Sequence, residues 1–142
     1  MKKSQPLVLK QMLRLASRWE RRSDHRAVFI RCYLLMTQNM LQALEQGEYQ
    51  DRVWVDGLLR HFADYYFTAL KQYEQDPKTA PRVWRLAFDT TRDPAAVVFQ
   101  HLLLGVNAHI NYDLVLTLND VLGAEWATLS ASQREMRRAD YD

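Results

Sequence analysis

Cysteine is almost missing from this chain: Cys32 stands alone among 142 residues, so no internal disulfide framework can form, and the chain suits a reducing cytoplasm. The short signatures of the common chemistries are missing as well. There is no G-x-S-x-G elbow, no glycine-rich phosphate loop, no H-E-x-x-H, no E-x-x-H pair and no C-x-x-C. Strand patterning is absent, with no alternating apolar run and no series of β-turn signals, and neither an internal repeat nor a low-complexity tract occurs. No nucleic-acid motif with internal spacing is present. A secretory signal is not expected either, because the apolar run that follows Lys2 and Lys3 is broken at Lys10 and Gln11.

What is there is a composition of 48% hydrophobic and 25% charged residues, that of an ordinary soluble globular protein. The length suits a single domain over residues 1–142 and is too short for two comfortable ones. The net charge of +2 hides an asymmetry: Met1 to Arg31 holds nine basic and two acidic residues, about +7, while the remainder is about −5. Within residues 7–22, Lys10, Arg14, Arg18 and Arg22 follow one helical stripe, and Leu9, Met12, Leu15, Ala16 and Trp19 fall opposite. Such a stripe is expected to be the solvated face of a helix docked on a core, ahead of a contact with an anionic membrane surface, nucleic acid or an acidic partner.

Helical periodicity continues along the chain. Ser23 and Asp24 can cap a second helix that stops near Gly47, with Val28, Phe29, Tyr33, Met36, Met40 and Leu44 as its expected core face. A third helix is expected from near Asp51 to the residue before Asp76 and Pro77, dense in aromatic residues. A short helix around Trp84, Leu86, Ala87 and Phe88 should cover one end of the core. Ser130, or Ser132 with Glu135, can start a last helix that has only Met136, Ala139 and Tyr141 to bury.

The longest apolar run lies between Asp93 and Gly123. Asp93 reads as a helix cap with Pro94 at the first helical position, and Gly123 as the stop. Between Pro94 and Leu118 the only formal charge is Asp113, which predicts a central helix, about 94–122, buried on all sides. Gln100, His101, Asn107, His109, Asn111 and Asp113 interrupt the run and argue against a membrane span, since polar groups in lipid are costly. The expected fold class is therefore all-α, a single-domain helical bundle of about five to six helices around that central helix.

The run HLLLGVNAHINYDL, residues 101–114, together with Trp84 to Phe88 and the Phe29 to Thr37 segment, resembles an uncharacterised bacterial all-helical family, domain-of-unknown-function family 5995. The resemblance covers the chain from about the second helix to the end. It implies a helical fold and a shared polar centre, and it carries no established activity, cofactor or catalytic residue. Members of that family usually continue into further helices, so the resemblance also implies a shortened form, or a core completed by another subunit in a homo-oligomer.

His101, Gly105, His109 and Asp113 are spaced by four and form one row on the long helix. His109 and Asp113 should interact, and a carboxylate beside an imidazole should raise the pKa of the histidine. His61 and Asp64, three apart on the third helix, could face them. These five residues are the candidates for a small-ligand or divalent-metal site, although His101 lies about 12 Å from His109 along an ideal helix axis, too far for one ion to bind both. The competing reading is a buried hydrogen-bond network, in which Asn107 and Asn111 bond neighbouring helices or loops. Two function classes follow: a ligand-binding or hydrolase-like helical protein, and a non-enzymatic interaction module that uses the basic first helix or an open C-terminal face.

Overall fold

Proline and small acidic residues set most of the helix boundaries. Pro6 precedes α1 (Leu7–Glu20). Ser23, in the left-handed region at φ 52, turns the chain, and the Asp24 carboxylate accepts from Arg26 N at 3.0 Å as α2 (Arg26–Gln46) begins. Gly47 stops α2 at φ 78, where its lack of a Cβ removes the penalty for that conformation. Asp51 caps α3 (Arg52–Gln75) by accepting from Trp54 N at 3.0 Å, and Pro77 follows its end. A 3-10 turn over Pro77–Thr79 leads to α4 (Arg82–Thr90).

The structure is a computed structural model and describes residues 6–141. Lys2 and Lys3, on which the N-terminal reading rests, lie outside the described residues. Among the described residues there is no strand and no helix long and apolar enough to cross a membrane.

The remaining chain forms α5 (Val98–Ala108), a π turn at His109–Asp113, α6 (Leu114–Leu122) and α7 (Ala131–Tyr141). With α5, the π turn and α6 read as one continuous helix, the single all-α domain has six helices among its described residues. Its main core gathers Leu9, Met12, Ala16 and Trp19 of α1 against Ile30, Tyr33 and Leu34 of α2, and Tyr66 and Tyr73 of α3 against Trp84 and Phe88 of α4. Full burial of side chains of this size contributes about 1.5–3 kcal/mol each before ordering costs are met. The basic stripe of α1 is exposed and its opposite face is docked, as expected of a helix lying on a core.

The long helix departs from its expectation at both ends. Asp93 and Pro94 begin a turn, with Asp93 O accepting from Ala96 N at 3.1 Å, and the helix starts only at Val98. The pair serves a β-turn, with proline second, as readily as a helix cap. At the other end Gly123 has φ −56 and is not a left-handed stop; the chain passes into turns, with Trp126 N donating to Leu122 O at 2.8 Å.

Burial of this helix is one-sided. His101, Gly105, Ala108, His109, Asp113 and Thr117 face inward, while Phe99, Leu103 and Ile110 are 64%, 49% and 37% exposed. The helix lies across one flank of the α2 and α3 layer, and no other described element covers its outer row. Asn107 and Asn111 fall on that outer side, where Asn111 Nδ2 donates to Asn107 Oδ1 at 2.8 Å; among the described residues they bond no other helix. In α2 the core face is likewise rotated, with Thr37 buried on Tyr33 O and Met36 at 48% exposure.

The last helix is held by polar contacts. Ser130 and Gln133 form its reciprocal cap: Ser130 Oγ accepts from Gln133 N at 3.2 Å and Gln133 Oε1 from Ser130 N at 2.8 Å. Asp140 is its buried residue, in place of Met136, Ala139 or Tyr141, and its carboxylate accepts from Gln50 N and Asp51 N at 2.7 and 2.8 Å. Arg137 bonds Asp51 and Glu125 and lies over the Trp54 ring.

Candidate functional site

Asp113 is a nearly solvent-free carboxylate, and its partners come from two elements. The indole N–H of Trp84 on α4 donates to both of its oxygens, at 3.0 and 2.9 Å, and His109 Nδ1 lies 2.9 Å from Oδ2. An ionised carboxylate only accepts, so this geometry assigns the proton to Nδ1 of a neutral His109 and leaves Nε2 with its lone pair. That Nε2 is buried and has no hydrogen-bond partner among the described residues. The π turn carries the pair, His109 at its first position and Asp113 at its last.

Aromatic rings enclose the imidazole. It is stacked on Phe62, with ring centroids 3.7 Å apart and planes 7° from parallel, and Tyr33 lies edge-on at 4.2 Å. Phe29, Tyr66 and Trp84 complete the cage at 5.6, 6.2 and 6.1 Å. Burial holds His109 below the usual imidazole range, and the neighbouring Asp113, which acts in the opposite direction, does not overcome it. The expected upward shift is therefore corrected: the desolvation of a ring in an aromatic cage outweighs one carboxylate. Tyr33 is pushed above the usual phenol range, by burial first and then by Asp113.

On one side the cage opens into a cleft of about 50 Å³, lined by Phe29, Cys32, Tyr33, Met36, Met40, Leu59, Phe62, Val106, His109 and Ile110. Its mouth is at the exposed Met36 and Ile110, and Phe62 and His109 are buried at its base. Almost every lining side chain is apolar, so an imidazole nitrogen without a partner is an exception there. Such an atom can accept a hydrogen bond or take up a proton.

The other candidates stand elsewhere. His61 Nε2 lies 2.8 Å from Asp120 Oδ2, to which the Tyr65 hydroxyl also donates, and the three tie α3 to α6 at the surface. That bond pushes the Tyr65 hydroxyl up to about 12, and the same contacts lower Asp120. Asp64 is exposed. His101 is buried and its Nε2 lies 2.9 Å from Nδ1 of the exposed His25, with Nδ1 of His101 unpartnered. Burial, then His25, lowers the pKa of His101.

The five candidates thus separate, and only His109 and Asp113 meet. Among the described residues no three His, Cys, Asp or Glu side chains gather as a metal ion needs. Helical spacing can place residues on one face of one helix, but it says nothing about which partner crosses from another. Trp84, Asp120 and His25 were missed for that reason. The only available signal for Trp84 was general: a buried indole needs an acceptor for its N–H, and Asp113 was the one charge in the apolar run.

A family model described as a family of unknown function (DUF5995) matches residues 6–142. No curated protein and no solved structure matches the chain.

Proposed function

We propose, for a chain that belongs to the DUF5995 family of unknown function, that the cleft beside His109 binds a small, mostly apolar molecule carrying one hydrogen-bond donor. The observation that carries this reading is the buried Nε2 of His109, left without a partner while Nδ1 is fixed on Asp113. A buried polar atom without a partner costs about 1–3 kcal/mol, which a donor on a ligand would recover. The apolar lining supplies the rest of the affinity, and the methionines at Met36 and Met40 can adapt to the shape of the occupant. A short alcohol or a phenol has the required chemistry. A reducing cytoplasm suits the reading, because the single thiol, Cys32, stands in the cleft wall.

Phenol and toluene test it, since they share a ring and differ in the O–H donor. Cys32 is the only cysteine, so its rate of alkylation reports occupancy of the cleft. Phenol should slow the alkylation and shift the His109 side-chain nitrogen resonance, with toluene binding about tenfold more weakly. Equal affinities would remove the hydrogen bond from the proposal. If neither compound protected Cys32, the cleft would not be a ligand site.

A further inference from the structure

We infer that the His109 cleft continues past Phe29 to His101, and that the Phe29 ring closes a channel for an elongated apolar molecule with a hydroxyl at each end. This rests on the ligand reading of His109 and names the class of ligand. Three buried side-chain polar atoms lack a partner among the described residues, and two of them, His101 Nδ1 and His109 Nε2, belong to one inward row of one helix. Gly105 lies midway between the two histidines on that row. A second, smaller cleft of about 10 Å³ is lined by His101, Gly105, His25 and Trp84, and Phe29 lines both it and the His109 cleft.

Gly105 is what allows Phe29 to stand between the two. A Cβ at that position would lie 2.6 Å from two ring carbons of Phe29, so the ring rests directly on bare backbone. With the ring swung away, that backbone becomes the floor of a continuous passage walled by aromatic side chains. Eight helical residues separate the two imidazoles by about 12 Å along the axis. Allowing about 2.8 Å for a hydrogen bond at each end leaves about 6 Å between the ligand's polar atoms. Hydroxyls suit both ends, because a hydroxyl both donates and accepts. His109 Nε2 offers a lone pair, whereas Nδ1 of His101 is donor or acceptor according to which way the bond to His25 runs.

1,4-Butanediol has this length and chemistry, and 1-butanol is the same chain with one hydroxyl removed. Protein labelled with ¹⁵N in its histidine side chains should show His101 Nδ1 and His109 Nε2 shifting along a single binding curve with the diol, while 1-butanol moves His109 alone and binds about tenfold more weakly. Phe29→Ala should bind the diol more tightly by removing the closing ring; the titration of the unmodified protein decides the matter if that variant does not fold. A diol that moves only His109 would overturn the channel and leave the single cleft standing. A diol that moves only His101, or neither histidine, would remove both.

Discussion

The imidazole of His109 lies flat on the phenyl ring of Phe62, 3.7 Å between centroids. With one face on Phe62 and Nδ1 held by Asp113, the ring cannot turn Nε2 toward water without breaking one of these contacts. Protonating His109 would put a charge inside this cage, which is why burial dominates its titration.

The first prediction concerns pH. The folded pKa of His109 is depressed, so below the unfolded value of about 6.5 the unfolded chain binds a proton that the folded chain resists. The contribution to stability is fully present above that value and is lost as pH falls through the folded pKa. His101 is depressed too and adds to the same slope. Urea unfolding measured between about pH 7 and pH 5 should therefore show stability falling with acid, and His109→Gln should reduce the slope. An unchanged slope in His109→Gln would show that this ring is not a source of the acid sensitivity.

A second prediction separates the shape of Asp113 from its hydrogen bonds. Asp113→Leu strands the Trp84 indole N–H and the His109 ring nitrogen in the core, at a cost of about 2–4 kcal/mol. Asp113→Asn keeps an acceptor for Trp84 and should cost less. Equal unfolding midpoints for the two variants would mean that neither donor depends on the carboxylate.

Two glycines on helices should respond in opposite directions to alanine. At Gly57 nothing lies within 4 Å of an added Cβ, so Gly57→Ala should stabilise by up to about 1 kcal/mol through helix propensity. At Gly105 the Cβ would press on Phe29 at 2.6 Å, and the overpacking, about 1–3 kcal/mol, should exceed that gain. Thermal unfolding of both variants reads the comparison, and a stabilised Gly105→Ala would show that Phe29 moves aside freely.

A fourth prediction concerns α7. Its Asp140 carboxylate takes up two backbone N–H groups that precede α3, and few apolar side chains hold the helix otherwise. Asp140→Ala should speed hydrogen exchange at Gln50, Asp51 and along α7, while the amides of α3 near Tyr66 keep their protection. Faster exchange throughout the core would mean that α7 supports the whole domain.

The exposed position of Asn107 and Asn111 reverses an expectation drawn from sequence. Their place in a run of apolar residues predicts a buried network for both. Because they bond each other on the outer side, apolar neighbours in sequence were a poor guide to burial. Apolar character can drive a face inward only where another element arrives to cover it.

What the sequence determined by itself was local: helical periodicity, the helix start near Asp51 and the stop at Gly47, the docked face of α1, and the row of His101, Gly105, His109 and Asp113. These follow from backbone stereochemistry and from repeats that fit within a turn or two of helix. Only the tertiary structure decided that Trp84 satisfies Asp113, that His101 turns to His25, that His61 turns to Asp120, and that the outer row of the long helix stays uncovered. Each depends on how separate helices pack, and the same packing set the direction of the His109 shift by deciding how much water reaches the ring.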